Sequence, residues 1–249
     1  MDKSDPLRHL WLAAVLLTRL PLPHLPTRAF ATGADAAWAY PLVGLAVGTA
    51  GAMTGQVALT LGMPSLACAA LALGAMMLVT GGMHEDGLAD VFDGFWGGFT
   101  PERRMEIMRD SQIGTYGVLA LVVVFALRLS AIAALLYTSP LALVAAAALS
   151  RGIMPLAMHA LPHARPDGLA RSVGRPAFGT AVSACVIGGA GAVLCLGAGG
   201  LVALIVALGV CGAVMLLAQA KIGGQTGDVL GAVQQLSEVA ILLTCTALV

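Results

Sequence analysis

The 249 residues are 59% hydrophobic and only 10% charged, and 13 basic side chains balance 13 acidic ones. Water-soluble domains carry about 25% charged residues, so this composition, with a mean hydropathy of +0.91, excludes a soluble globule and places the chain in a bilayer. Zero formal net charge gives no field for nucleic acid, and no nucleic-acid partner is expected.

The first apolar stretch, residues 6–20 (PLRHLWLAAVLLTRL), is too short to span comfortably. Arg8 and Arg19 at its ends and Trp11 near one of them suit a helix lying at the interface. A short first span is the alternative. The polar start and the absence of a small-residue cleavage site argue against a secretory signal. Runs of roughly 20 apolar residues then recur at 36–60, 65–83, 115–137, 140–160, 179–198, 201–220 and 229–249. The expected fold is all-α. It is a polytopic membrane bundle of about seven transmembrane helices, with an N-terminal interfacial helix and a loop helix, as one domain over 1–249.

The breaks at 61–64, 138–139 and 199–200 carry no charge. Nearly all basic residues lie in the other connections: Lys3, Arg8, Arg19 and Arg28, then Arg103, Arg104 and Arg109, then Arg165, Arg171 and Arg175, then Lys221. Seven spans put all of these on one side, which the positive-inside rule makes cytoplasmic. The C-terminus is then expected outside. Cys68, Cys185, Cys195, Cys211 and Cys245 lie in apolar runs without a CxxC pair and read as small buried residues.

Residues 81–117, GGMHEDGLADVFDGFWGGFTPERRMEIMRDSQIGTYG, hold seven of the 13 acidic side chains. Asp86, Asp90 and Asp93 stand at i, i+4 and i+7 and share one helical face. Like charges so placed repel unless a cation neutralises them. Oxygen ligands without thiolates suit Mg²⁺ or Mn²⁺ rather than Zn²⁺. Glu85 projects about 100° away yet can reach the same pocket, and Gly87, Gly94, Gly97 and Gly98 leave room for a ligand near the backbone. A solvated acidic loop is the plain alternative. His84 next to Glu85 does not make the HExxH zinc motif. His159 and His163 read as loop residues, because Pro162 breaks their helix. Thr100-Pro101-Glu102 reads as a helix start running to about Asp110. Arg103, Arg104 and Arg109 suit phosphate or anionic lipid, or pairing with Glu106.

Arg128, Arg151 and Glu238 lie inside spans, where charges default to functional hypotheses. Arg151, nearer the cytoplasmic end, is expected to line a cavity reaching the acidic block. Arg128 suits structural pairing or snorkelling, and Glu238 can pair with either or serve the site. Residues 221–238, KIGGQTGDVLGAVQQLSE, form a second polar cluster. Gly223, Gly224 and Gly227 permit a tight turn there, and Thr226 and Asp228 offer oxygen ligands.

HEDGLADVFDGFWGG, RRMEIMRDSQIGTYG and GGQTGDVLGAVQQLSE, with LLTRLPLP at 16–23, YPLVGLAVG at 40–48 and the intramembrane Ser150-Arg151, resemble the cobalamin 5'-phosphate synthase family, also called adenosylcobinamide-GDP ribazoletransferases. The likeness runs nearly end to end, although 179–220 adds nothing to it. It implies a magnesium-dependent phosphotransferase of the bacterial cytoplasmic membrane with its active site facing the cytoplasm. The implied substrates are adenosylcobinamide-GDP and α-ribazole, or its 5'-phosphate, with release of GMP. The element DGLAD is loosely similar to the Asp-Gly core of CDP-alcohol phosphotransferases.

Joined to the residue reading, this gives Glu85, Asp86, Asp90 and Asp93 as Mg²⁺ ligands, with Mn²⁺ as the substitute ion. Asp93 or Asp110 is the expected proton acceptor, and Arg109 and Arg151 the phosphate-neutralising cations. Arg103, Arg104, Ser111, Gly224, Thr226 and Asp228 are the expected substrate contacts. Membrane lipid is a further partner, and a homo-oligomer is left open. A secondary transporter, the rival class, accounts for the intramembrane charges but not for carboxylates gathered at one face.

Overall fold

The computed structural model describes residues 5–23, 30 and 32–248, and its regular elements are helical. Lys3 and Arg28, counted above among the basic residues, lie outside the described residues. Helix α1 (Pro6–Leu17) starts at Asp5, whose side chain accepts from Leu7 N. It is held by Trp38, whose Nε1 donates to His9 Nδ1 at 3.0 Å. A 3-10 turn, Asp35–Ala39, leads into α2 (Tyr40–Thr60). There follow α3 (Ser65–Thr80), α4 (Met83–Gly97), α5 (Pro101–Ile107), α6 (Thr115–Thr138), α7 (Leu141–Ala160), α8 (Leu169–Val173), α9 (Phe178–Leu196), α10 (Gly199–Ile222) and α11 (Gly227–Leu248).

Six segments are long and apolar enough to cross a bilayer: Asp35–Thr60, α6, α7, α9, α10 and α11. The expected span at 65–83 is found as α3, and it breaks at its end. Helix α3 ends at Thr80, and α4 departs at 90° to it. Gly81 and Gly82 both sit at φ +70°, a backbone state open to glycine at little cost. Counted as one broken span, α3 and α4 make a seventh crossing. The expected loop helix is α5, with Thr100 capping Arg103 N.

Helix α7 is the hub. Of its most apolar 18-residue window 89% is buried, against 28% for α9 and α10, which leave most of their surface to lipid. Small residues allow this packing. A Cβ on Gly44 of α2 would lie 2.2 Å from the Ala147 carbonyl oxygen of α7, and one on Gly200 of α10 would lie 2.5 Å from the α9 backbone. No hydrophobic force separates helix from lipid in a bilayer, so such close approach is what holds the bundle together.

The charged connections meet at one end. Arg104 Nη1 donates to Lys221 O at 2.9 Å, Arg109 pairs with Asp167 at 2.9 Å and Arg165 with Asp228 at 2.8 Å. Residues 162–164 clasp Gln225 through Ala164 N to Gln225 O and Gln225 N to Pro162 O. Leu248, near the end of α11, contacts Gly199 at the opposite end.

Candidate active site

Asp86 is exposed and Asp90 half-buried on α4. They face the start of α11, where the two backbones touch: a Cβ on Gly87 would lie 2.9 Å from Asp228 Cα. The carboxylates of Asp228, Asp86 and Asp93 act together on Asp90, opposed by Arg165. Asp86 and Asp90 have no side-chain hydrogen bond among the described residues. Asp228 has two, from Arg165 Nη2 at 2.8 Å and Thr226 Oγ1 at 3.1 Å. The Thr226 hydroxyl also accepts from Val229 N and caps α11.

The expected ligand quartet divides. Asp93 is turned to α6, where its carboxylate oxygens accept from Gly114 N at 2.7 Å and Gly117 N at 2.9 Å. Positions i and i+7 share a face but lie about 10 Å apart along the axis, so one ion cannot serve both ends of the row. Glu85 is 6% exposed and lies on the other side of α4. Its Oε1 accepts from Arg128 Nη1 at 3.0 Å and Gln235 Nε2 at 3.1 Å.

Glu85 thereby joins a buried network between α4, α6, α7 and α11. Arg128 Nη2 donates to Glu238 Oε1 at 2.5 Å and its Nη1 to Gln235 Oε1 at 2.8 Å. Arg151 Nη1 donates to Glu238 Oε2 at 3.3 Å and to Ala147 O at 3.0 Å. Gln234 Nε2 reaches Glu238 Oε2 at 2.6 Å and Ser150 Oγ at 3.1 Å. Two arginines and two glutamates cancel, which is how charge is tolerated at this depth. The expectation that Arg151 lines a cavity reaching the acidic row is corrected. Its charged neighbours are Glu238, Glu85 and Arg128, because α11 carries Glu238 to it. Both arginines are ion-paired here, so the network offers a transported solute no unpaired cation.

Other expected contacts serve the scaffold. Arg104 binds Gly98 O and Lys221 O, and Arg103 pairs with Glu106 at 2.6 Å on the surface. Gly224 packs on Pro162, whose oxygen would lie 2.2 Å from an added Cβ. The glycines of α4 are filled by protein: Gly87 by α11, Gly94 by Met108 and Arg104, and Gly98 by Arg104. Asp110 accepts from Gln112 N in an exposed turn beside Ser111. With Asp93, Arg103 and Glu106 it edges a shallow cavity of about 300 Å³.

A deeper cavity of about 210 Å³ opens beside Asp228. Leu16, Leu17, Tyr40, Met154 and Met158 form its apolar wall, and Arg165, Asp167, Arg171, Thr226 and Asp228 its polar side. His84 and Gln225 also line it. His84 is 2% exposed, with neither ring nitrogen hydrogen-bonded among the described residues. The loop above is positive through its arginines. Burial, with Arg171 and Arg175 nearby, holds the His163 imidazole below its usual range. Sequence reasoning did not single out His84, Arg165, Arg171 or Gln225, which line this cavity. The available signal was the arginine-rich loop after α7, read above only for its sidedness.

A family model described as Cobalamin-5-phosphate synthase matches residues 9–246. The adenosylcobinamide-GDP ribazoletransferase of Mesorhizobium japonicum is 45% identical over 238 residues, covering 94% of this chain and 91% of that protein. Those of Bradyrhizobium diazoefficiens, at 44% with 95% and 92% covered, and of Brucella anthropi, at 45% with 91% and 91%, are similarly close. No solved structure matches the chain. Matched over nearly its whole length by the family model and by these relatives, the chain belongs to the cobalamin-5-phosphate synthase family.

Proposed function

We propose that the chain joins adenosylcobinamide-GDP to α-ribazole or its 5'-phosphate in the membrane, and that it uses Mg²⁺ to do so. A ribose hydroxyl oxygen bonds to the phosphorus that carries cobinamide. The bond from that phosphorus to the bridging oxygen breaks, and GMP leaves with the bridging oxygen. The observation that carries this reading is the pair Asp86 and Asp90, unengaged by hydrogen bonds and crowded by Asp228.

The donor set fits a hard cation. Among the described residues no three His, Cys, Asp or Glu groups form a ready cage, but Mg²⁺ asks for only one or two carboxylates, with waters and substrate phosphates completing its shell. Asp86 and Asp90 would hold it, and Mn²⁺ would substitute. When bound, the ion supplies neutralisation of the diphosphate charge. Asp86 and Asp90 are also the carboxylates free to accept the proton of the attacking hydroxyl. Asp93 is engaged by two amides and Asp110 lies in an exposed turn, which makes both poorer acceptors. Arg109 and Arg165 stand at the same end of the bundle and favour an anionic substrate there. The site faces the cytoplasm in this reading, since the basic connections gather at its end.

The test is GMP release by the purified protein with both substrates. Chelation by EDTA abolishes release, and Mg²⁺ or Mn²⁺ restores it. Asp90→Asn lowers turnover by about two orders of magnitude or more while the protein still melts cooperatively in detergent. Full turnover in EDTA removes the metal from the reading.

A further inference from the structure

We infer that the cavity between α1, α4, α7 and the 163–173 loop seats the aromatic base of the acceptor nucleoside, with His84 hydrogen-bonding that base and Arg171 meeting a 5'-phosphate. This rests on the ribazole-transfer reading above and adds where, and in which form, the acceptor is held.

Size is the first argument. About 210 Å³ admits a bicyclic ring and is far too small for a corrin. The wall is the second. Leu16, Leu17, Tyr40, Met154 and Met158 offer apolar surface to a methylated benzimidazole. Guanine, ringed with donors and acceptors, would leave most of them unpaired against these side chains.

The third argument is the set of unpartnered polar atoms. Buried polar side chains nearly always have partners. Here both nitrogens of His84 and the Gln225 Oε1 are buried without one among the described residues, and both residues line this cavity. Ribazole offers matching groups: one benzimidazole nitrogen carries the ribose, the other is an acceptor for the His84 N–H, and the ribose hydroxyls are donors for Gln225 Oε1.

At the mouth, Arg165 is already committed to Asp228. Arg171 is exposed and has no hydrogen-bond or ion-pair partner among the described residues. It also borders a second opening lined by His163, Arg165 and Arg175, so the positive field there favours a phosphate. Asp228 belongs to this cavity and also acts on Asp90, which links the base pocket to the carboxylates where the phosphorus must react.

The experiment uses the full-length protein in lipid nanodiscs. Equilibrium dialysis with labelled α-ribazole and no donor measures acceptor binding directly. Steady-state assays then give KM separately for α-ribazole, its 5'-phosphate and adenosylcobinamide-GDP. His84→Ala is expected to weaken α-ribazole retention and raise its KM about tenfold, leaving the KM for adenosylcobinamide-GDP unchanged. Arg171→Ala, on the surface and safe for folding, is expected to raise KM about tenfold for the phosphorylated acceptor alone. The assignment is overturned if His84→Ala folds and shifts only the KM for adenosylcobinamide-GDP, or neither KM. It is also overturned if Arg171→Ala affects both acceptors equally or neither. Wild-type protein that releases no GMP indicts the reaction and not the pocket. Retention of α-ribazole that His84→Ala abolishes would still support the pocket.

Discussion

Arg128 and Arg151 each bind Glu238, and this pairing makes the buried quartet a cooperative unit. The sequence offered Glu238 an arginine as partner, because an isolated charge at that depth is costly. It could not show that one carboxylate bridges both arginines, since only the crossing of α11 with α6 and α7 decides that. Glu238→Gln leaves two arginines facing Glu85 alone and is expected to destabilise by about 3–5 kcal/mol. Adding Arg151→Met restores one cation to one anion, so the double variant should melt above the Glu238→Gln single variant. Thermal unfolding in one detergent measures both. A double variant no more stable than the single would mean that Arg151 takes no part in the balance. That Asp86 and Asp90 share a helical face was legible, because i, i+4 spacing fixes it. That Asp93 accepts from the α6 amides was not legible, because spacing along one helix says nothing about which neighbour covers each end of the face.

Helix α4 shows how element crossings convert a glycine pattern into a site. Gly87 brings Asp228 beside Asp90, and Gly231 packs against His84 and Gly87. The glycines were visible in the sequence, but their occupant was read as ligand where it is neighbouring helix. The pair Gly81-Gly82 was visible too. The 90° angle there was not, because composition carries no direction. Gly87→Ala places a methyl 2.9 Å from the Asp228 backbone, and overpacking of this kind costs about 1–3 kcal/mol. The start of α11 must shift, so turnover should fall sharply while helix content by circular dichroism stays constant. Gly74→Ala on α3 meets nothing within 4 Å and is the control, with activity near wild type. Equal losses in the two variants would place the effect in helix propensity and not at the crossing.

Hydropathy gave the number of long apolar segments but not their neighbours. A core helix such as α7 and lipid-facing helices such as α9 and α10 are equally apolar, since lipid and helix interior solvate side chains alike. Sidedness was more legible, because charges stay at helix ends unless they pair. The structure gathers the charged connections through the Arg104–Lys221, Arg109–Asp167 and Arg165–Asp228 contacts at the end opposite Leu248. An odd number of crossings follows if α3 and α4 together make one, and this fixes a measurable arrangement. By the positive-inside rule the arginine-rich end is expected in the cytoplasm. A single cysteine at position 167, in a background lacking the five native cysteines, should resist a membrane-impermeant maleimide in intact cells and react after permeabilisation. A C-terminal epitope should be reached from outside. If instead the epitope is also shielded, one of α9, α10 and α11, the three apolar helices that separate position 167 from the C-terminus, does not cross.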